Sequence, residues 1–330
     1  MSQSNMAKMD NPVLESVRQA YVVMKNEIKK YFSGKRMLLF LVLLAIVLVI
    51  LTSAPFLIGS DFSEGQMLTM YLTMSPLIVL MAATLFASIT IVSEYEERTA
   101  LIVFTRPISK ASIFFGKLAA SLIVTVGFVL LYYLYASLMM VIQFGSVDSG
   151  IPVSFGLACA YAFGCIGIAM LISSFMKKSN TATILTFVAL MVVISAASMV
   201  LSLAGMNVSW MIDQAAGSIS NCSPGYRDYT NEQLQLMAQM MMDPGSFIDF
   251  NAYASALIAA STTFPPGVLA SEFLNTVMVD SGSWTFGAIG EMFGSMSVSA
   301  PDVLKDTFTM LAWGVVALVG SFILFLRREF

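Results

Sequence analysis

Long apolar runs alternate with short polar segments along most of the chain, and these runs determine its architecture. Six of them reach membrane length: Met37–Ile58, Gln66–Val92, Leu118–Phe144, Val153–Phe175, Ala182–Ala204 and Thr307–Leu326. A helix rises about 1.5 Å per residue, so about 20 apolar residues cross a hydrocarbon core of about 30 Å. The pattern predicts an all-α integral membrane protein with six transmembrane helices.

A shorter amphipathic segment precedes the first span. Its apolar positions recur at helical spacing: Val13, Leu14, Val17, Ala20, Tyr21, Met24, Ile28 and Tyr31. Its basic positions fill the other face: Arg18, Lys25, Lys29 and Lys30. Asn11-Pro12 predicts the start of this helix and Ser33-Gly34 its end. A basic amphipathic helix just ahead of a span is typical of the membrane interface, with an ordinary solvated helix as the alternative.

The segment between the fifth and sixth spans, residues 205–306, is too long to be a simple connection. Thr230 to Gln233 resembles a capping box, and Asp243-Pro244-Gly245 predicts the end of the helix that would follow. The apolar piece Tyr253–Ala270 is interrupted by two prolines and is too short to span. We expect an extracytoplasmic, mostly helical insert before the last helix.

The basic residues predict the orientation. All but two of the seventeen lysines and arginines, Arg227 and Lys305, lie on the side of the N-terminus, which the positive-inside rule makes cytoplasmic. The predicted divisions are a cytoplasmic N-terminus with the interfacial helix (1–36), spans one to five with a cytoplasmic loop at 93–117 (37–204), the outer insert (205–306), and the sixth span with a cytoplasmic C-terminus (307–330).

Composition excludes several classes of function. The chain is 58% hydrophobic and 11% charged and contains no histidine, which rules out histidine-ligated metal sites and Ser-His-Asp triads. It has no GxxxxGK[ST] sequence for a nucleotide phosphate. Cys159, Cys165 and Cys222 form no disulfide framework. We therefore expect no catalytic residue, no metal and no cofactor bound by this chain.

The six predicted spans contain no Asp, Glu, Lys or Arg. Ion-coupled transporters usually carry such residues near the membrane midplane, so this absence argues against a self-powered transporter. If the protein moves a solute uphill, the energy has to come from a partner.

The stretch from Ser93 to Lys117 carries most of the charge between spans two and three. Its candidate residues are Glu94, Glu96, Glu97, Arg98, Thr99, Arg106, Pro107, Ser109, Lys110 and Lys117. A charged turn between two spans can be a docking surface for a soluble protein or a solvated loop that only sets topology. We favour docking.

The order of residues in this stretch resembles a known family. Glu94-Tyr95-Glu96-Glu97-Arg98-Thr99, then Arg106-Pro107-Ile108-Ser109-Lys110, then Gly116-Lys117 entering a span, is similar to the segment between spans two and three of ABC-2 family permeases of ABC transporters. Arg98 stands where many members have glycine. The six-span layout, the N-terminal helix and the large outer loop extend the resemblance over nearly the whole chain.

The resemblance implies a permease subunit that is not itself an enzyme. ATP and Mg would be bound by a separate ABC ATPase, docked on the cytoplasmic face at residues 93–117 and on the N-terminal helix. A second permease copy or a sister permease, the lipid bilayer and a plasma-membrane location are also implied, and nucleic acid is not. The alternative is a channel, or an ATPase-coupled component that acts on an external partner without transporting a solute. The apolar spans hint at an amphipathic substrate.

Two weaker patterns have ordinary structural interpretations. Gly156, Ala160 and Gly164 form a small-residue stripe in the fourth span, which suits helix packing either within the chain or across a dimer. Met237, Met240, Met241 and Met242 could hold a soft metal ion, but a methionine stripe at helical spacing is more often a packing face.

Overall fold

A computed structural model describes residues 12–58, 63–96, 109–242 and 300–327. These residues form ten helices: α1 Pro12–Ser33, α2 Lys35–Ile58, α3 Glu64–Phe86, α4 Val92–Glu96, α5 Lys110–Phe144, α6 Ile151–Phe175, α7 Ser179–Leu203, α8 Ile212–Asn221, α9 Pro224–Met242 and α10 Val303–Arg327. A π-helical turn, Ala189–Val193, lies in the middle of α7.

Six of these helices, α2, α3, α5, α6, α7 and α10, are long and apolar enough to cross a membrane, and they confirm the six predicted spans. Two boundaries differ. The helix that contains the third span begins at Lys110, eight residues before the predicted Leu118, and the helix of the second span ends at Phe86 and not at Val92. After Phe86, the Ser88 hydroxyl donates to the Thr84 carbonyl in the last turn of α3, and the Thr90 hydroxyl donates to the Ala87 carbonyl in the turn that follows.

Successive spans run in opposite directions, so the bundle has two distinct ends. At the α1 end, the Tyr31 hydroxyl of α1 donates to the Phe86 carbonyl at the close of α3, and Phe114 near the start of α5 packs on Phe325 near the close of α10. At the opposite end, the start of α3 packs on α9 through Gly65, where an added Cβ would lie 2.6 Å from the Tyr229 Cβ. Both described termini of the chain therefore lie at the α1 end.

Helices α6 and α10 make a backbone-close contact through glycines. A Cβ added at Gly167 would lie 2.6 Å from the carbonyl oxygen of Gly314, and one at Gly164 would lie 3.0 Å from that of Met310. Small residues allow this approach, which van der Waals packing then stabilises. Ala160 is also buried. Gly156 is exposed with open space beside it, so the predicted stripe meets a helix of the same chain only in its second half.

Helices α2 and α7 lie at the periphery. In the most apolar stretch of each helix, only 17% of the residues are buried within the chain, whereas in α6 the share is 67%. Their remaining apolar surface faces outward, which suits helices that contact lipid or another membrane protein.

Helices α8 and α9 cover the opposite end, and here one prediction was wrong. Helix α9 begins at Pro224, and Thr230 lies inside it with its hydroxyl bonded to the Tyr226 carbonyl, so no capping box forms at Thr230. The actual start is stabilised from a distant loop, where the Asp148 carboxylate accepts hydrogen bonds from the Ser223 hydroxyl at 2.6 Å and the Gly225 N–H at 3.0 Å.

Residues 243–299 of the predicted insert lie outside the described residues. This applies to the Asp243-Pro244-Gly245 helix end and to Tyr253–Ala270. The predicted division of the chain into segments stays a prediction.

Candidate functional site at the α1 end

Lys117 is the centre of the α1 end. It lies in α5 and is fully buried, and its ammonium group contacts three acceptors from three other parts of the chain. These are Glu27 Oε1 at 2.8 Å, Glu94 Oε1 at 2.9 Å and the Thr90 carbonyl oxygen at 2.7 Å. An ammonium group has three N–H donors, so this one is fully satisfied. We call Lys117, Glu27, Glu94 and the Thr90 carbonyl the Lys117 cluster.

The cluster forms because α1 packs directly on the first turns of α5. An added Cβ at Gly116 would lie 2.6 Å from the Ala20 carbonyl oxygen, so the glycine lets the two backbones approach. Glu27 shares the α5-facing side of α1 with Ala20 and Tyr31, at spacings of seven and four residues. The helix therefore places the Glu27 carboxylate on the side that packs against α5, where it meets Lys117.

The N-terminal side of α4 is held by α6. The Ser173 hydroxyl oxygen accepts hydrogen bonds from the backbone N–H groups of Ile91, at 3.2 Å, and Val92, at 3.1 Å. These donors would otherwise be unpaired at the start of a helix. The short α4 is thereby fixed, and so is the position of Glu94 within it.

Glu96, at the end of α4, is exposed and touches α7. Its Oε2 accepts a hydrogen bond from the Ser179 N–H at 2.8 Å, which places a carboxylate at the N-terminus of α7. Hydrogen bonds from Ser179 hold the pKa of Glu96 below its usual value. The carboxylate therefore stays ionised at neutral pH.

The start of α5 is held by α1. Ser109 is the N-cap of α5, its side chain accepting from the Ser112 N–H, and its own N–H donates to Gln19 Oε1 at 3.2 Å. The Ser112 hydroxyl donates to the Ser16 carbonyl at 2.9 Å. Lys110, the next residue after the cap, is exposed. Residues 97–108 are thus flanked on both sides by anchored positions.

The structure divides the predicted docking residues into three groups. Glu94 and Lys117 are buried and pair with each other, while Glu96, Ser109 and Lys110 are exposed. The other five lie outside the described residues: Glu97, Arg98, Thr99, Arg106 and Pro107. Glu94 and Lys117 therefore differ from the exposed members of the stretch, and the ATPase-coupling role of all ten residues stays a prediction.

The prediction of charge-free spans, with the third span beginning at Leu118, is not contradicted by Lys117, although this lysine lies directly before that span. Lys117 belongs to the same continuous helix as the third span. That helix has 35 residues and so is about 52 Å long, well beyond the roughly 30 Å of a hydrocarbon core. The excess length lets its first turns, with the cluster, extend past the apolar region at the α1 end.

Several contributors to the site were missed from the sequence. Glu27 could have been found from the sequence, because it is a carboxylate on the apolar side of an amphipathic helix. Burial raises the pKa of the Tyr31 phenol one turn later, so this side chain remains a neutral donor to the core. No sequence pattern indicates the roles of the Thr90 carbonyl and the Ser173 hydroxyl, because both roles depend on the shape of the turn after α3.

The structure offers little for a metal ion in the parts of the chain it describes. No group of three or more His, Cys, Asp or Glu residues there is arranged to hold one. Cys159, Cys165 and Cys222 are free thiols. The four methionines lie in the last turns of α9, and their side chains are outside what the structure describes.

Comparison with protein-family models identifies a family that covers most of the chain. The family model described as ABC-2 family transporter protein matches residues 21–330, which include the α1 end and all six spans. No curated protein matches the chain.

Proposed function

Since the chain belongs to the ABC-2 family of transporter proteins, we propose that it is a permease subunit driven by a separate ATPase. The family consists of membrane components of transporters and is not itself catalytic. The observation that carries the proposal is the Lys117 cluster. It joins the residues on both sides of segment 97–108 to each other and to α1.

The cluster gives a physical route for coupling. A soluble subunit that presses on residues 97–108 applies force to α4 on one side and to α5 on the other. Because Lys117 binds acceptors from α1, α4 and the turn after α3, these elements move as one body. Helix α5 then carries the displacement through the membrane.

The docking surface in this proposal consists of segment 97–108 with the exposed Glu96 and Lys110 at its two ends. It contains both signs of charge, which suits electrostatic recognition of a soluble partner. In this proposal Glu94 does not contact the ATPase directly, and the ion pair of its buried carboxylate with Lys117 supports this assignment. Its role is to position the segment.

The proposal places the α1 end in the cytoplasm and the protein in the plasma membrane. The positive-inside rule supports this orientation, because the lysines and arginines are concentrated at that end. ATP and Mg bind the ATPase subunit, which reaches the permease from the same side.

A second permease subunit, identical or related, completes the transporter. The outward apolar face of α7 supports this step, because so little of that helix is buried within the chain. In our proposal the substrate is amphipathic and moves along the apolar surfaces between the two subunits.

Co-purification with the ATPase tests the proposal. The full chain is expressed with its genomic neighbours, extracted in mild detergent and assayed for a bound nucleotide-binding protein. The test variant Glu97→Lys/Lys110→Glu reverses one charge of each sign on the docking surface. The matched control Glu232→Lys/Lys305→Glu makes the same exchange at the opposite end of the bundle.

We expect an ATPase to co-purify with the native chain and with the control, and to be lost from the test variant. Glu94 is unsuitable for this experiment, since a lysine there would face Lys117 and disturb the fold. The proposal is wrong if no ATPase is retained by the native chain, or if the test variant retains it as well as the control does. A native chain that conducts ions on its own would support the channel alternative.

A further inference from the structure

A row of buried hydroxyl groups crosses the bundle toward the end that α8 and α9 cover, and Tyr133 of α5 is at its centre. The Tyr133 phenol oxygen lies 2.8 Å from Ser75 Oγ of α3 and 2.8 Å from Ser154 Oγ of α6. The Ser154 hydroxyl also donates to the backbone carbonyl of Ile219 in α8. All three side chains are buried. We call Ser75, Tyr133, Ser154 and the Ile219 carbonyl the Tyr133 chain.

The direction of each hydrogen bond in the Tyr133 chain follows from its last member. A carbonyl oxygen can only accept, so it takes the single proton of Ser154. Ser154 therefore accepts from Tyr133, and Tyr133, whose proton is then used, accepts from Ser75. Every proton has one acceptor along a route from α3 through α5 and α6 to α8. Since an unpaired buried group is costly, the members of this chain resist separation.

Two neighbouring tyrosines of α5 make separate contacts. The Tyr132 hydroxyl donates to the Tyr71 carbonyl of α3. The Tyr135 phenol oxygen lies 2.7 Å from Thr52 Oγ1 of α2. These partners belong to α3 and α2, whereas the hydrogen bonds of Tyr133 lead on to α8. Tyr135 therefore offers a matched control on the same helix.

Helix α5 connects the Tyr133 chain to the Lys117 cluster. Lys117 and Tyr133 are 16 positions apart in one continuous helix, which separates them by about 24 Å along its axis. Sharp kinks in helices arise mainly at prolines or at interruptions of the hydrogen-bond ladder, and α5 contains no proline. A displacement of α5 at the α1 end therefore reaches Tyr133.

We propose that Tyr133 is the positioning residue that transmits movement of α5 to α8. When α5 shifts, the Tyr133 hydroxyl displaces Ser154 and, through it, the Ile219 carbonyl, so α8 moves at the end of the bundle opposite α1. The proposal rests on the proposed function for what moves α5 and adds where that movement is delivered. Continuous contacts give a route, and the coupling itself is measured as a response at one end to a change at the other.

Hydrogen exchange of backbone amides tests the proposal in the full chain, reconstituted in nanodiscs without ATPase. Lys117→Met breaks the Lys117 cluster and releases α5 at the α1 end, and exchange is then followed in α8. The comparison is made in the native background, in Tyr133→Phe and in the control Tyr135→Phe. Exchange in α6, the span with the largest buried share, corrects for global unfolding.

Tyr133→Phe is a mild change for α8 itself. It removes one hydroxyl and keeps the ring, which packs edge-to-face on Phe155 with ring centroids 5.5 Å apart. Ser154 still donates to the Ile219 carbonyl. We therefore expect Tyr133→Phe alone to leave exchange in α8 within about twofold of the native rate.

The response to Lys117→Met carries the test. In the native and Tyr135→Phe backgrounds we expect it to accelerate exchange in α8 by about fivefold, the factor that one hydrogen bond contributes to an equilibrium. In the Tyr133→Phe background this acceleration should be lost. A purely structural role would give the opposite pattern, with Tyr133→Phe accelerating exchange by itself and adding to the effect of Lys117→Met.

Two results would overturn the proposal. One is exchange in α8 that does not respond to Lys117→Met in the native background, and the other is an equal response in the Tyr133→Phe and Tyr135→Phe backgrounds. If Lys117→Met does not fold, Glu27→Gln replaces it in the same three backgrounds, because it removes only one charge from the cluster. Since no ATPase is present, failure here leaves the docking surface standing, and failure of the co-purification leaves the coupling between α5 and α8 measurable.

Discussion

Removing the charge of Lys117 should destabilise the α1 end more than any other single change of charge there. Lys117→Met keeps a side chain of similar length and apolar volume but removes the ammonium group. Glu27 and Glu94 then face each other with their side chains only 12% and 11% exposed. The Thr90 carbonyl also loses its partner.

The magnitude follows from the geometry. At an effective dielectric constant of about 20, unit charges separated by 2.8–2.9 Å attract by about 6 kcal/mol, most of which offsets the cost of taking the charges out of water. Removing one partner of a buried pair leaves that cost uncompensated, so we expect a loss of about 3–5 kcal/mol in the free energy of unfolding.

A compensating variant separates this cause from a general packing defect. Lys117→Met/Glu27→Gln/Glu94→Gln replaces the whole charged set by neutral groups of similar shape. Because removing every charged member together is often nearly neutral, this triple variant should recover all but about 1–2 kcal/mol.

Reversible unfolding of the purified chain in mixed micelles, followed by tryptophan fluorescence, measures both values. A loss below about 1 kcal/mol for Lys117→Met would mean that the cluster does not hold α1 and α5 together. A triple variant no more stable than the single one would show that charge is not the cause of the loss.

Two further predictions concern the bundle. Gly167→Leu should destabilise the chain by about 1–3 kcal/mol or more, because its side chain would meet the backbone of Gly314. The control Gly156→Leu should change stability by less than about 0.5 kcal/mol, because open space lies beside Gly156. Equal thermal shifts of the two variants in detergent would contradict the close contact at Gly167. Burial raises the pKa of Asp213, so its ionised form costs stability at neutral pH and native stability rises as pH falls toward that raised pKa. Asp213→Asn keeps an acceptor for the Ser198 hydroxyl, which donates to Asp213 Oδ1 at 2.6 Å. The variant should raise the free energy of unfolding at neutral pH and make this free energy depend less on pH in the acid range. A pH series of unfolding curves that is the same for the variant and the native chain would refute this.

The six spans could be predicted because apolar length is a direct consequence of bilayer thickness. The ends of the spans were harder to predict where no polar residue marks them. The turn after α3 runs through Ile89 and Ile91 and continues the apolar pattern, so the sequence extends the span to Val92. The start of α9 depends on Asp148, a carboxylate 75 residues before Ser223 in the chain, and local pattern cannot detect such a partner.

The candidate site was predictable in composition and not in arrangement. Charge density identified the stretch from Ser93 to Lys117, and family resemblance suggested its use. Which charges face inward is decided by α1, a helix far away in sequence, since Glu27 and Lys117 are 90 residues apart. A carboxylate on the apolar side of α1 is the one sequence feature that indicates such a buried pair.

Photo-crosslinking at position 110 tests the central claim most directly. A benzophenone amino acid replaces Lys110 in one chain and Lys305 in a matched chain, and each is irradiated in membranes from cells that express the genomic neighbours. Our account predicts an adduct with a nucleotide-binding ATPase at position 110 and none at position 305. An ATPase adduct at 305 alone, or none at 110 although ATPase is present in the same membranes, would contradict it.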